Sequence, residues 1–250
     1  MKHLGWLLIA GLILPILVMA SCSGPSTSTP VTKIRVATDA NWPPFESINI
    51  LTKQIEGFDI DVMNAIAVRE KFEIEFVNVA FNPLLEEMAR GTYDAAISFI
   101  TITEDRQKTM LFSDPYFAAG QIVIVAIDNT TISGKDNLSG NVGVLEGSTG
   151  FKEVKKIKTA TLAAYDKIDL AFQDLIKGQI EAVVCDNPVA LMYVGKNPDK
   201  LKTVGKVFTD ESYGIAVAKG KKELLAKINA GLKSIKSEGL IEQYSEKWFK

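Results

Sequence analysis

Residues 33–47 have the sequence KIRVATDANWPPFES, and the fold can be built outward from this stretch. Lys33–Thr38 alternates polar and apolar side chains and is rich in β-branched residues, a pattern that predicts a strand. A loop rich in proline and polar residues follows over 39–56. Residues 58–71 then place apolar side chains at helical spacing, so the stretch begins a strand–loop–helix unit.

Strands and helices keep alternating along the rest of the chain, in two successive β-α-β-α-β runs. The further predicted strands are 72–79, 95–98, 121–126, 141–145, 159–163, 180–185, 201–208 and 214–218. The further predicted helices are 82–90 (with Asn82 as N-cap and Pro83 as first residue), 147–156, 166–177, 188–194, 221–236 and 240–248. Such alternation predicts an α/β fold with helices covering both faces of each sheet, and two runs predict two lobes.

Polar residues follow several of the predicted strands. Open α/β sheets hold their ligands beyond the carboxyl ends of the strands. Asp39, Ser98, Thr101 and Asp186 each lie just after a strand, and Gly147 begins a polar turn after another. These positions are therefore candidates for a ligand site.

The composition limits the chemistry that the chain can perform. Of 250 residues, 47% are hydrophobic and 8% aromatic, which supplies a core and excludes wholesale disorder. The 28 basic and 30 acidic residues give a net charge of −2, which provides no electrostatic footprint for nucleic acid. The single histidine, His3, falls in a predicted leader, so the mature chain lacks histidine for nucleophilic catalysis or metal ligation. Cys22 and Cys185 are too few for a cysteine-rich metal site. We expect no catalytic residue, no metal and no cofactor, and binding rather than turnover.

Residues 1–21 have the layout of a bacterial export signal, with Lys2 followed by an uncharged apolar stretch and then small residues. The alternative, a membrane-anchoring helix, is disfavoured because the stretch is short for a span and contains Pro15.

The end of this signal, Met19-Ala20-Ser21-Cys22, resembles a lipoprotein box, in which the cysteine is acylated and becomes the first residue. The alternative is ordinary cleavage near Ala20, which leaves Cys22 as a free thiol. Residues 22–32 are rich in Gly, Ser, Thr and Pro and are predicted to be a flexible tether. These features predict a protein at the extracytoplasmic face of the bacterial cell membrane, or in the periplasm.

Cys185 lies in an apolar run and is predicted to be a buried small hydrophobe without a disulfide.

Four segments together resemble one family, the bacterial extracytoplasmic solute-binding proteins of the polar amino acid type (family 3), which serve ABC importers. They are ATDANWPPFE at 37–46, GFDID at 57–61, YDAAISFITITEDR at 93–106 with FSDPY at 112–116, and YGIAV at 213–217. The resemblance implies a two-lobed, periplasmic-binding-protein-like α/β fold of type II, with two hinge strands. Lobe 1 would comprise 33–117 and 211–250, and lobe 2 would comprise 118–210. The lobes would close on a ligand by a hinge.

The resemblance also assigns the binding of the ligand's charged groups. In lobe 1, Arg106 would clamp the carboxylate of a free amino acid, since a planar guanidinium suits bidentate contact. Main-chain groups of Ser98 and Phe99, and the hydroxyl and amide of Thr101, would bind ammonium and carboxylate. Phe99 stands where a small residue is common. The plainer interpretation of Arg106 is a solvated residue on a surface helix.

In lobe 2, the resemblance gives Asp186 the ammonium group and gives Thr149 an anion contact at a helix N-terminus, where main-chain amides lack partners. Leu145, at the end of a predicted strand, belongs to the same set. The plainer interpretation of Thr149 and Asp186 is that of N-cap residues.

The side chain of the ligand would lie between Trp42 and Phe81, whose plainer interpretation is core packing. Asp39 would reach the far end of that pocket. Its carboxylate would favour a guanidinium, ammonium or amide group and would disfavour an acidic one.

The sequence therefore predicts a monomeric, lipid-tethered receptor that binds a free polar or basic L-amino acid, of the arginine, lysine or glutamine class, and delivers it to an ABC permease. Two alternatives share the fold. One is a periplasmic enzyme of the cyclohexadienyl or prephenate dehydratase type, with Asp186 or Asp39 as its acid. The other is the ligand-sensing lobe of a membrane receptor.

Overall fold

The computed structural model describes residues 32–249. The predicted signal peptide, Cys22 and tether residues 22–31 lie outside this part. Val31–Lys250 forms a compact unit of its own. Within residues 32–249, the longest apolar helices still fall short of what is needed to cross a membrane.

The helices occupy both halves of the described chain and fall between strands, as the alternation predicts. They are α1 (Phe58–Glu70), α2 (Phe81–Arg90), α3 (Glu104–Gln107), α4 (Thr149–Val154), α5 (Ile168–Ile176), α6 (Asn187–Lys196), α7 (Lys222–Ser237) and α8 (Leu240–Phe249), with one 3₁₀ turn at Lys135–Asn137.

The strands form two larger sheets and two small ones. They are β1 (Lys33–Thr38), β2 (Asn41–Trp42), β3 (Glu46–Ile48), β4 (Ile55–Glu56), β5 (Glu73–Asn78), β6 (Ala95–Ala96), β7 (Met110–Phe112), β8 (Phe117–Ala119), β9 (Gln121–Ala126), β10 (Gly140–Leu145), β11 (Ala160–Tyr165), β12 (Ala182–Asp186), β13 (Leu201–Val204), β14 (Glu211–Tyr213) and β15 (Ala216–Ala218).

The first large sheet has the strand order β5-β1-β6-β15-β7. Strand β1 runs parallel to β5 and β6, with Val36 opposite both Phe76 and Ala95. Strand β15 is antiparallel to β6 and β7. The carboxyl ends of β1 and β6 therefore meet at one edge, and the segments that begin at Asp39 and Ile97 emerge side by side.

The second large sheet has the order β11-β10-β12-β9-β13. Strand β10 is parallel to β11 and β12, while β9 is antiparallel to both β12 and β13. One buried cluster covers the face of this sheet that is continuous with the core of the first sheet, and a second cluster covers its opposite face. Helices thus cover both faces, which gives the α/β layering that the sequence predicts.

The chain passes between the two large sheets twice, and the two passages pair with each other. Strand β8 leads from the first sheet to the second, and β14 leads back; they are antiparallel, with Phe117 opposite Tyr213. This is the arrangement of a two-lobed fold with two hinge strands. We keep the boundaries 117/118 and 210/211 as proposals, and both fall at this strand pair.

The structure differs from the sequence-based prediction at several places: the predicted strand 201–208 ends at Val204, and α3, β7, β8 and β14 are not among the predicted helices and strands. Two further differences lie beside the site. Helix α2 begins at Phe81 with Ala80 as its N-cap, so the prediction of Asn82 as N-cap was wrong. The reason is that the Phe81 N–H donates to the carboxylate of Asp39 (3.0 Å), which satisfies an N-terminal donor of the helix from a distant loop. The predicted loop 39–56 contains the small sheet of β2, β3 and β4.

Candidate functional site

A cavity lies between the two large sheets, at the carboxyl ends of their parallel strands. Its open volume is only about 30 Å³, well below the roughly 300–1,000 Å³ that is usual for small-molecule sites, so the lobes must part before an amino acid can enter. The structure brings eight of the ten predicted ligand-binding residues to its wall: Trp42, Phe81, Phe99, Thr101, Arg106, Leu145, Thr149 and Asp186. Asp39 and Ser98 lie behind that wall.

Arg106 is almost completely buried at the end of lobe 1 that faces lobe 2. It lies in α3, whose N-cap Thr103 accepts a hydrogen bond from the Arg106 N–H (3.2 Å). One guanidinium nitrogen donates to the carbonyl of Thr101 (2.7 Å), and the other donates across the cleft to the carbonyl of Gly147 (3.2 Å). Burial lowers the pKa of Arg106, while the charges of Asp186 and Glu211 oppose that shift. The guanidinium remains a cation, since arginine does not lose its proton in proteins.

Three aromatic rings form the wall of the cavity in lobe 1. The ring of Phe99 lies 4.9 Å from that of Trp42, edge to face, and 5.8 Å from that of Phe81, almost parallel. The Arg106 guanidinium lies 5.7 Å from the centre of the Phe81 ring. Phe99 therefore contacts both rings that were predicted to sandwich the ligand side chain. Its direction, which sequence reasoning did not specify, is into the aromatic wall.

Asp39 holds this wall in place from behind. Its carboxylate accepts hydrogen bonds from the Trp42 indole (2.9 Å), the Phe81 N–H (3.0 Å) and the Asn41 amide (2.6 Å). The prediction placed Asp39 at the far end of the side-chain pocket. In the structure Asp39 is buried behind Trp42 and Phe81, with three hydrogen-bond donors, and does not reach the cavity surface.

Ser98 and the main chain of Phe99 are also engaged within lobe 1. The Ser98 hydroxyl accepts a hydrogen bond from the Asp39 N–H (3.2 Å) and donates to the Glu46 carboxylate. The Phe99 N–H donates to Asp59 (2.7 Å), at a residue with the positive φ of 38°. Thr101 lines the cavity, and its main-chain carbonyl accepts the hydrogen bond from the Arg106 guanidinium.

A fully buried pair of carboxyl groups, Glu46 and Asp59, supports this segment from below. Asp59 also accepts hydrogen bonds from the Tyr116 hydroxyl (2.9 Å to each oxygen). Burial, and then the neighbouring Asp59 charge, raise the pKa of Glu46 well above its usual range. Burial likewise raises the pKa of Asp59. The sequence indicated the surrounding segments but not this pairing, because the two residues are brought together only by β3 and α1.

In lobe 2, Thr149 begins α4 directly after the turn that follows β10. The N-cap is Ser148, whose hydroxyl accepts a hydrogen bond from the Phe151 N–H (3.1 Å), so Thr149 is not the capping residue. The Thr149 hydroxyl instead donates to Glu211 (2.8 Å) and accepts from the Gln121 amide (3.0 Å). Leu145, the last residue of β10, adds an apolar contact to the cavity.

Asp186 ends β12 and occupies the N-cap position of α6, but its side chain makes no capping hydrogen bond. The carboxylate instead accepts from the Tyr213 hydroxyl (2.6 Å) and from the Gln121 amide. Burial, and then the charge of Glu211, raise the pKa of Asp186 to about 6. It is an anion at neutral pH, across the cavity from the cation of Arg106.

Sequence reasoning missed two groups of residues around the cavity. The first is apolar: Ile168, Val184 and Val189 line lobe 2 beside Cys185, whose thiol pKa is raised well above its usual value by burial. The second is Glu211, which lies two residues before the quoted YGIAV segment. Within residues 32–249, the structure contains no group of three or more His, Cys, Asp or Glu side chains that could hold a metal ion.

The geometry is that of a closed cleft with a buried cation and a buried anion on opposite lobes. The sequence profile of the bacterial extracellular solute-binding proteins, family 3, matches residues 34–250. The chain belongs to this family.

Curated relatives in the solute-binding family resemble the chain over almost its full length. The probable histidine-binding protein of Neisseria gonorrhoeae is 34% identical over 96% of this chain and 94% of that protein. The putative ABC transporter arginine-binding protein 2 of Escherichia coli strain K12 is 35% identical over 94% of this chain and 98% of that protein.

Solved structures of solute-binding proteins share the two-lobed fold. An ancestral arginine-binding protein bound to arginine superposes with a TM-score of 0.81 at 41% identity, covering 87% of this chain and 98% of that one. An ancestral amino acid-binding protein, described as a precursor of cyclohexadienyl dehydratase, superposes with a TM-score of 0.79 at 35% identity, covering 87% and 96%.

Proposed function

We propose that this solute-binding protein captures one free L-amino acid between its lobes and delivers it to an ABC permease. The observation that carries the proposal is the placement of Arg106 and Asp186 on opposite lobes of one cavity. A zwitterion offers a carboxylate to the guanidinium and an ammonium to the carboxylate. Electrostatic attraction between such charges is strongest where water is excluded, and both residues are buried.

The remaining charged-group contacts come from Thr101 in lobe 1 and from Thr149, which begins α4 in lobe 2. A free amide at a helix N-terminus supports an anion. Closure of the lobes brings these groups and Arg106 to the same end of the cavity, so the ligand carboxylate would complete contacts that neither lobe makes alone.

We propose the arginine, lysine and glutamine class for the ligand. The buried anion Asp39 lies directly behind Trp42 and Phe81, and its negative potential favours a cationic or amide side chain over an acidic one. Aromatic faces add a cation–π attraction of about 0.5–2 kcal/mol for a charged side chain. The printed names of the relatives, arginine-binding and histidine-binding, support the same class.

We propose further that the protein is not an enzyme, that it acts as a monomer, and that Cys22 carries the lipid that holds it at the membrane. The described cavity has an acid, Asp186, but it faces Arg106 in a pairing suited to a zwitterion. A dehydratase would need that acid free to protonate a leaving group.

The test is a thermal-shift screen of the twenty amino acids on the chain lacking residues 1–22, refolded from denaturant to remove carried-over ligand. A ligand at 100 times its dissociation constant stabilises the fold by about 2.7 kcal/mol, a shift of several degrees at this size. We expect the shift with arginine, lysine or glutamine, and we expect Arg106→Ala and Asp186→Ala to abolish it. The absence of a shift with every amino acid would refute the proposal and direct attention to a dehydratase assay.

A further inference from the structure

Glu211 forms hydrogen bonds with residues of both lobes. It is the first residue of hinge strand β14. One carboxylate oxygen accepts hydrogen bonds from Thr101 of lobe 1 (3.1 Å) and from Thr149 of lobe 2 (2.8 Å). The other oxygen accepts from Thr209 (2.8 Å) on the same segment. A side chain on the hinge thus joins the two threonines that flank the ligand's carboxylate position.

We propose that Glu211 is a positioning residue of the ligand site: it links Thr101 to Thr149 and so holds the cleft in its closed form. The proposal rests on the proposed function for what the cleft binds. Hydrogen bonds to a carboxylate are stronger than those between neutral groups. They form only when the lobes approach, because the donors lie on different lobes, and therefore they favour closure.

Glu211 also acts on Asp186 through a shared donor. The Gln121 amide nitrogen lies near the Asp186 carboxylate and within 3.4 Å of Glu211. The groups that face Asp186 are Glu211 and Tyr213 on β14, Gln121 on β9, Arg106 on α3 and the neighbouring Cys185 thiol. Burial is the larger cause of the raised Asp186 pKa, and Glu211 is the one of these groups whose charge adds to it. Glu211 therefore raises further the pH below which Asp186 cannot bind an ammonium group.

Three variants of the chain lacking residues 1–22 separate these effects. Glu211→Ala removes the link. Glu211→Gln keeps an acceptor oxygen and removes the charge. Glu242→Gln makes the same chemical change at an exposed position of α8 and is the control.

The first measurement is small-angle scattering of the ligand-free proteins at neutral pH. We expect a larger radius of gyration for Glu211→Ala than for the wild type and Glu242→Gln, because the lobes open. The second is calorimetric titration with arginine or glutamine, for which Glu211→Ala should weaken binding by roughly tenfold or more. An unchanged radius together with unchanged affinity would overturn the proposal.

The third measurement is the pH dependence of affinity, which loss of packing alone would not move. Wild-type affinity should fall as the pH is lowered through about 6, where Asp186 takes up a proton. In Glu211→Gln this fall should begin at lower pH, while Glu242→Gln should follow the wild type. The same pH midpoint in Glu211→Gln would overturn the action on Asp186. If the wild type binds no amino acid, the proposed function fails, and the scattering comparison alone decides on the link.

Discussion

The buried carboxyl groups of Glu46 and Asp59 hold in place the segment that follows β6 in lobe 1. Ser98 donates to one carboxyl group and the Phe99 N–H donates to the other, so the segment that reaches the cavity is fixed by two acids. Burial raises the pKa of both. A carboxyl group of this kind binds its proton more tightly in the folded than in the unfolded chain.

That difference predicts that the ligand-free protein becomes more stable as the pH is lowered from 8 to 5.5. The folded chain takes up protons below its raised pKa values, whereas unfolded carboxyl groups stay ionised until about pH 4, so stability rises over this interval. The melting temperature measured at several pH values should show the rise, and Glu46→Gln should reduce it. Asp186 contributes in the same direction, so the comparison of variant with wild type isolates the pair.

The control for this experiment is Glu73→Gln at an exposed position of β5, which should keep the wild-type pH dependence. Asp105 and Glu238, whose pKa values are lowered to about 2 by their basic partners, act only below the interval. A melting temperature that falls steadily from pH 8 to 5.5 would contradict the prediction.

Phe99 is predicted to limit the length of ligand side chain that the aromatic wall can accept. Its ring contacts both Trp42 and Phe81, so a long ligand side chain cannot enter between them until this ring moves. Phe99→Gly removes the ring and suits the positive φ of 38°. We expect the affinity for arginine to rise relative to that for alanine, measured by calorimetry with both ligands.

The same substitution should lower the free energy of unfolding, because truncation of a buried phenylalanine costs about 3–5 kcal/mol. Relief of the positive φ at position 99 offsets part of this loss. Phe99→Leu serves as an intermediate in volume and should give an intermediate affinity ratio. A ratio that is the same in all three proteins would show that the ring does not limit the pocket.

Individual site residues were predictable from sequence where they follow a strand, and not where they meet through tertiary contacts. Arg106 was predicted from its place in a family motif, and Asp186 from its place after a predicted strand. Glu211 was not, since a glutamate in a polar segment has no local signature. The one sequence feature that could have indicated Glu211 is its position at the start of the segment predicted to return to lobe 1.

At the scale of elements, α1 and α7 pack closely because of one glycine. A Cβ at Gly231 would lie 2.9 Å from Cγ2 of Ile66 and 3.3 Å from its Cα, so the two helices could not keep their spacing. Gly195, near the end of α6, has open space around it. The same substitution should therefore have opposite effects at these two helical positions.

Gly195→Ala should stabilise the protein by about 0.5–1 kcal/mol, because alanine loses less backbone entropy in a helix. Gly231→Ala gains the same preference but must displace a buried isoleucine, at a cost of about 1–3 kcal/mol. Urea unfolding of both variants measures the difference, and amino acid affinity should stay unchanged. Stabilisation by Gly231→Ala would mean that α1 and α7 are less tightly packed than described.

The long elements were predictable because their periodicity is strong: β1 and β9 have the predicted bounds, and α1 ends one residue early at Glu70. The short ones were not. Strands of two or three residues, such as β2 and β14, carry no period to detect and exist only because a partner strand pairs with them. The hinge pair was expected from the family resemblance rather than from its own residues.

At the scale of the whole molecule, closure depends on how near the two lobes can approach at Gly147. Its carbonyl accepts the hydrogen bond from Arg106, and a Cβ there would lie 2.2 Å from Oδ1 of Asn82 in α2. Lys152 of lobe 2 and Asp105 of lobe 1 form an ion pair nearby (2.8 Å). A Cβ alone needs only a movement of the Asn82 side chain, whereas a longer side chain at position 147 must also find room between the lobes.

Gly147→Asn and Gly178→Asn form a matched pair for this question. The two glycines have φ values of +72° and +70°, and nothing lies within 4 Å of a Cβ at Gly178. Asparagine tolerates this left-handed region better than most residues, so both variants should fold with similar small losses in melting temperature.

Only Gly147→Asn inserts its side chain between the lobes. We expect it to weaken amino acid binding and to enlarge the radius of gyration of the ligand-bound protein, while Gly178→Asn binds like the wild type. Equal affinities in the two variants would show that the lobes hold their ligand without the contact between Gly147 and Arg106.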